Sequence, residues 1–228
     1  MNINTTLNYS PNFEEKKRDP IGIKFIIFHY TGMKKENDAI NKLMNPKSKV
    51  SSHYLIKQNG EILTLVPDLY IAWHAGISFW KNYRSINKSS IGIEISNPGH
   101  NHKYYKFNKK QIKSVLSLSK FLIKKYKIKS KFILGHSDIA PDRKKDPGEK
   151  FPWKYLSKKK ISLWHDISSK KLLKARNETI TELEKKIFIN NLYKIGYSKK
   201  LNKKNINILK ILTFAFQRRF RQDIINGI

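Results

Sequence analysis

Residues Lys24 to Tyr30 read KFIIFHY, an uninterrupted apolar run from Phe25 to Phe28 followed by His29. A run this short, rich in β-branched and aromatic side chains, fits a strand buried on both faces. Its carboxyl end delivers the histidine. A second stretch of the same form, KFILGH from Lys131 to His136, also ends on a histidine. Two buried strands ending on histidines, with helical patterns between them, point to an α/β fold.

Working outward, ENDAINKLMN suggests a helix from about Glu36 to Met44. HYLIKQNGEILTLV reads as a hairpin, because Asn59-Gly60 tolerates positive φ at both turn positions. SSIGIEISN gives another strand carrying Glu94, with Ile91, Ile93 and Ile95 on the opposite face. From about Asn108 to Tyr126, Ile112, Val115, Leu116, Leu118 and Leu122 fall mostly on one stripe, the mark of an amphipathic helix. Strand signals end near Ile161. Beyond it, TITELEKKIFINNLYKIGY and NINILKILTFAFQRRF are helical patterns separated by a turn at Gly196 and a Lys/Asn-rich loop.

Between the second histidine and Gly148 runs GHSDIAPDRKKDPG, too rich in Pro, Gly and Asp to read as a helix. Asp146 in this loop is followed by the rigid pair Pro147-Gly148, which can aim its carboxylate. Side chains at strand ends and on the following loop converge at one edge of a sheet, the usual place for a site. Two neutral imidazoles and a carboxylate make an open three-ligand zinc site with a fourth position for water. The residues thus suggest one metal shared by His29, His136 and Asp146. His53 reads as structural, and His100, His102 and His165 sit in polar or linker segments.

The chain has 228 residues, with 47 Lys and Arg against 17 Asp and Glu, for a formal charge of +30. That length suits one domain plus a small appendage, since domains usually run about 100 to 200 residues. The charge favours polyanionic partners, yet the lysines are spread from end to end and no nucleic-acid motif accompanies them. No nucleic-acid partner is expected. With no cysteine, a disulfide framework, a thiolate metal ligand and a cysteine nucleophile are all excluded. No run approaches the roughly 20 apolar residues of a membrane span. The amino-terminal stretch shows no secretory signal, so the sequence as it stands reads as cytoplasmic, or as periplasmic or envelope-associated if exported. A monomer is expected.

Taken in order, FIIFHYTG, SSHYLIKQNGEI, AWHAG, SIGIEISNPG and LGHSDIAPDRKKDPGEKFPW resemble the type 2 N-acetylmuramoyl-L-alanine amidases, relatives of animal peptidoglycan recognition proteins. The resemblance runs from about Phe25 to Trp153. It implies zinc held by His29, His136 and Asp146, Glu94 as general base, and Lys144 stabilising the oxyanion. It also implies that His74, Asn97 and Trp73 line the substrate groove, with Trp80 and Tyr83 as nearby apolar surfaces. Ser52 stands where some relatives have a tyrosine, which puts weight on Glu94. Arg143 and Lys145 flank Lys144, so any of the three cations is a candidate by position alone.

The tail, with its Gly-Tyr turn and a helix containing Ala-Phe-Gln, resembles the helical peptidoglycan-binding module of some of these amidases, although the third helix usual after NGI is not present. The alternative is a helical brace packed on the main domain. The expected fold is thus α/β, a mixed central β-sheet flanked by helices with a small C-terminal all-α module. The division is 1–20 as an N-terminal extension, 21–168 as a zinc amidase catalytic domain and 174–228 as the module. The implied partner is peptidoglycan or a muropeptide, hydrolysed between N-acetylmuramic (or 1,6-anhydro-N-acetylmuramic) acid and L-alanine. A non-catalytic receptor on the same scaffold is the alternative.

Overall fold

The computed structural model describes residues 3–175, 178–201 and 207–227. The strands are β1 (Thr6–Leu7), β2 (Phe13–Glu14), β3 (Phe25–Tyr30), β4 (Tyr54–Ile56), β5 (Ile62–Thr64), β6 (Ile71–Ala72), β7 (Phe79–Trp80), β8 (Tyr83–Arg84), β9 (Ser90–Ile95) and β10 (Ile133–Gly135). The helices are α1 (Glu36–Met44), α2 (Lys109–Tyr126), α3 (His136–Ile139), α4 (Trp153–Lys158), α5 (Ser169–Ala175), α6 (Glu182–Ile195) and α7 (Ile208–Phe220). A six-stranded mixed sheet, ordered β1-β5-β4-β9-β3-β10, forms the centre. Strands β4, β9, β3 and β10 run parallel, while β5 is antiparallel to β4.

Side-chain alternation on these strands divides the core in two. One face carries Ile26, Phe28, Ile91, Ile93, Ile95 and Ile133, packed against Val115, Leu118 and Leu122 of α2. Each of these three α2 side chains is fully buried, worth roughly 1.5–3 kcal/mol apiece. Asn108 caps α2 by accepting from the Gln111 N–H, and Gln111 returns the bond to the Asn108 N–H, an arrangement worth about 1 kcal/mol. The other face carries Phe25, Ile27 and Leu134. These pack with Trp80, Ile86 and Ile139, and with Leu192, Tyr197, Leu212 and Ala215 from the C-terminal helices.

Two features differ from the sequence reading. In the β4–β5 turn only Gly60 takes positive φ, at +88°. Its N–H donates to the Lys57 carbonyl while the Lys57 N–H donates to that of Glu61, so the connection is a turn followed by a bulge rather than a two-residue hairpin. His136 does not end a strand; it opens the single-turn helix α3, because Gly135 ends the pairing with β3 and Asp138 accepts the Gly135 N–H. In the segment 3–20, Thr6 and Leu7 pair with Leu63 and Thr64, and buried Asn12 donates to the carbonyls of Asn45 and Val50. The last helix is observed from Ile208, the expected start at Asn205 and Ile206 lying outside the described residues. Among the described residues no helix is long and apolar enough to cross a membrane.

Candidate active site

Register brings the predicted donors together. In the parallel pair β3–β9, His29 stands opposite Glu94, and facing residues of adjacent strands point to the same side. In the pair β3–β10, Phe28 stands opposite Gly135, so the next residues, His29 and His136, come side by side. Asp146 returns to them because the Ser137 N–H donates to the Asp146 carbonyl at 2.8 Å. Gly135 lets that loop approach: a Cβ there would sit 2.6 Å from Pro147 Cδ.

The result is a triangle. His29 Nδ1 lies 2.9 Å from His136 Nδ1, and each lies 3.0 Å from Asp146 Oδ2. All three side chains are buried. Among the described residues they form the one group of three His, Asp or Glu donors close enough to share a metal ion.

The surrounding hydrogen bonds fix which ring nitrogens carry protons. Ser90 donates its hydroxyl to the Ile86 carbonyl at 2.7 Å, so its oxygen is left to accept from His74 Nε2–H at 3.1 Å. His74 Nδ1 is then bare and accepts from His29 Nε2–H at 3.1 Å. His136 Nε2–H donates to the Ala75 carbonyl at 3.1 Å. In the neutral rings both Nδ1 atoms therefore turn lone pairs toward the Asp146 carboxylate. His29 is held neutral: burial, then the neighbouring His136 charge, lower its pKa from 6.5 to about 4. Burial works to raise the Asp146 pKa, but in the metal-free site the favourable interaction with a protonated His136, and then with His29, would outweigh this and hold the group well below the carboxylate range.

Three lone pairs meeting at about 3 Å repel one another unless a cation lies between them. Tetrahedral zinc with bonds of about 2.0–2.1 Å separates its ligand atoms by roughly 3.3 Å, a few tenths more than the spacing here. The donor set, its tautomers and its second layer of partners therefore fit a divalent ion.

Glu94 lies in the same cleft, an open volume of about 460 Å³ lined also by Tyr30, Lys42, Trp73, Lys144 and Lys145. Its Oε2 is buried without a hydrogen-bond partner, as expected of an acceptor waiting for a ligand or solvent. Burial, then the Asp146 charge, raise its pKa from 4.5 to about 8, opposed by Lys144 and Lys42. Of the three neighbouring cations, Arg143 is already engaged, its guanidinium donating to the carbonyls of Ala75 and Ile77.

The expected groove residues separate. Trp73 lines the cleft. His74 also reaches it, but both its ring nitrogens are spent on His29 and Ser90, so it orients His29 rather than contacting a ligand through nitrogen. Asn97 is 1% exposed, with its amide donating to the Tyr105 carbonyl and accepting from the Gly99 N–H. It secures the loop after β9 and does not line the cleft. Trp80 is buried against Tyr197, and Tyr83 packs on Phe25. His53 accepts the Gly92 N–H, as a structural histidine would. His100, read as a linker residue, joins Tyr30 to Glu149 through its two ring nitrogens.

Sequence reasoning missed Ser90 and the Ala75 carbonyl. One signal was available in IGIEI: a Cβ on Gly92 would meet the His74 ring at 2.4 Å, so the glycine marks a side chain pressed against the strand.

A mixed sheet that gathers two imidazoles, a carboxylate and a glutamate with one buried, unpartnered oxygen on one cleft floor is the framework of a hydrolase. The N-acetylmuramoyl-L-alanine amidase family model matches residues 17–149. The amidase AmiD of Escherichia coli (strain K12) is 35% identical over 218 residues, covering 90% of this chain and 77% of that protein. The 1,6-anhydro-N-acetylmuramyl-L-alanine amidase AmpD of Haemophilus influenzae is 35% identical over 167 residues, 65% of this chain and 88% of that one. Escherichia coli AmiD in complex with anhydro-N-acetylmuramic acid-L-Ala-D-gamma-Glu-L-Lys superposes with a TM-score of 0.77 at 34% identity, over 90% of this chain and 83% of that one. The chain belongs to the N-acetylmuramoyl-L-alanine amidase family.

Proposed function

We propose that the protein is a zinc-dependent amidase that hydrolyses the bond between the lactyl carbonyl of N-acetylmuramic or 1,6-anhydro-N-acetylmuramic acid and the amine of L-alanine. The observation that carries this reading is the triangle of His29 Nδ1, His136 Nδ1 and Asp146 Oδ2, set in one cleft with Glu94, whose Oε2 is buried without a hydrogen-bond partner.

Zinc bound there supplies a water nucleophile of pKa near 7 and polarises the scissile carbonyl. Glu94 takes the proton from the attacking water and passes it to the leaving amine nitrogen, a role worth roughly 10²- to 10⁴-fold. Lys144 holds positive charge toward the cleft, where negative charge grows on the carbonyl oxygen. Trp73 gives the substrate a flat apolar wall. The 1–20, 21–168 and 174–228 division belongs to this proposal as a functional one, with catalysis in the central segment.

Purified protein, before and after chelation, is incubated with intact sacculi and with free anhydro-muropeptides, and stem-peptide release is followed by mass spectrometry. Release that is lost on chelation and restored by zinc is the expected result. Stoichiometric zinc with no release from either substrate refutes the amidase reading and leaves the receptor.

A further inference from the structure

The helix that begins with His136 is held from the other end of the chain. Two residues along α3, Asp138 is 1% exposed and has both carboxylate oxygens occupied from the C-terminal segment. Tyr197, in the turn after α6, donates its hydroxyl to Oδ1 at 2.8 Å. Arg219, on α7, donates from Nη1 to Oδ2 at 2.7 Å. The same Oδ2 accepts the Gly135 N–H, which fixes the joint between β10 and α3.

Arg219 is also a hub. Its Nη2 donates to the Ile133 carbonyl on β10 at 3.0 Å, and its guanidinium carbon lies 4.2 Å from the Trp153 ring centroid on α4. Further along, the Gln222 amide donates to the Phe151 carbonyl at 2.7 Å. Strand β10, helix α3 and the segment that follows Asp146 are therefore each tied to α7. Arg219 and Tyr197 are themselves buried, at 4% and 2% exposure, so these bonds form in a low-dielectric interior where geometry is tightly held.

We infer that Arg219 and Tyr197 are positioning residues for the metal site, acting through Asp138 on His136, so that the C-terminal helices are a support of the catalytic centre as well as whatever else they bind. A wall-binding module joined by a linker needs no buried ion pair two residues from a metal ligand. This inference rests on the proposed metal site, and its test keeps the two separable.

The test uses the full-length chain as parent, Tyr197→Phe, Arg219→Lys and, as a control, Leu212→Ala. Leu212, on α7 itself, is fully buried in the same apolar cluster as Tyr197 but has no polar atom to share in the hydrogen bonds to Asp138. Each protein is titrated with Co²⁺ and Zn²⁺ against a chelator, and the visible absorption of the Co²⁺ form and the thermal midpoint are recorded. Tyr197→Phe and Arg219→Lys are expected to weaken metal affinity by about 10-fold, the lower end of what loss of a ligand's direct outer partner costs, because they act one step removed through Asp138, and to alter the Co²⁺ spectrum. Leu212→Ala is expected to lower the midpoint while leaving affinity and spectrum as in the parent. If Tyr197→Phe and Arg219→Lys match the parent in both readouts, or if Leu212→Ala changes them equally, the positioning role is overturned. A parent chain that binds neither ion overturns the metal site itself and this inference with it.

Discussion

Replacing Gly92 with alanine isolates the packing on which the His29 tautomer depends. In the middle of β9 the change should be harmless or helpful, since Gly92 has no left-handed φ and alanine restricts the unfolded chain more, a gain of about 0.5–1 kcal/mol. The structure predicts the opposite. The new Cβ would lie 2.4 Å from His74 Cγ, 2.6 Å from Cδ2 and 2.7 Å from Nδ1, when ordinary contact begins near 3.4 Å. The ring must retreat by about 1 Å, and it has little room. It is 8% exposed, hydrogen-bonded at both nitrogens, and faced edge-on by His29 and His53 at 5.1 and 5.6 Å between centroids. Overpacking of this kind costs about 1–3 kcal/mol, or a drop of roughly 2–12 °C in thermal midpoint for a chain of this size. Breaking the His29–His74 bond frees the His29 ring to rotate or change tautomer, so zinc affinity should fall about 10- to 100-fold. Chelator competition on the variant and thermal unfolding of its metal-free form measure the two effects. Adding His74→Ala to Gly92→Ala should recover the midpoint but not the affinity. A single Gly92→Ala variant that is as stable as the parent and binds zinc within about threefold of it would refute the assignment of His74 as the support of His29.

Three other expectations follow from the same geometry. Glu94→Gln should keep zinc, measured by metal analysis, while lowering kcat for muropeptide hydrolysis by about 10²- to 10⁴-fold; loss of the metal would instead make Glu94 part of its binding. His29→Ala should lose both metal and activity, because two donors remain where three met. Asp68 tests stability away from the site. Burial opposes its ionisation, but hydrogen bonds from Lys125, Tyr126 and Tyr54 outweigh this and hold its pKa below the ordinary 3.8. A depressed folded pKa stabilises above the unfolded value, and that stability is lost as pH falls through the folded one. Asp68→Asn should therefore lower the urea midpoint at pH 7 and flatten its decline below pH 4; an unchanged acid limb would show that other carboxylates set it.

The sequence by itself determined the strands β3, β4, β5, β9 and β10, the helices α1, α2, α6 and α7 in outline, and the chemical types offered for the site, but not the shortest strands or α3, α4 and α5. KFIIFHY and KFILGH announce buried strands because apolar continuity is local, and the α2 stripe is legible because its 3.6-residue period lies within one segment. It named His29, His136 and Asp146 from two apolar runs that each stop at a histidine and from the Pro-Gly turn that follows the aspartate, and Glu94 from the resemblance carried by SIGIEISNPG. Tertiary structure decided everything that depends on register and on residues far apart in the chain. The His29–His136 contact joins positions 107 apart, and the Arg219–Asp138 pair positions 81 apart. No local pattern says that Ser90 turns the His74 ring, that Asn97 spends its amide on its own loop, or that α7 reaches back to α3. Those facts arise from packing, in which each buried polar atom must find a partner from whatever the fold has placed beside it.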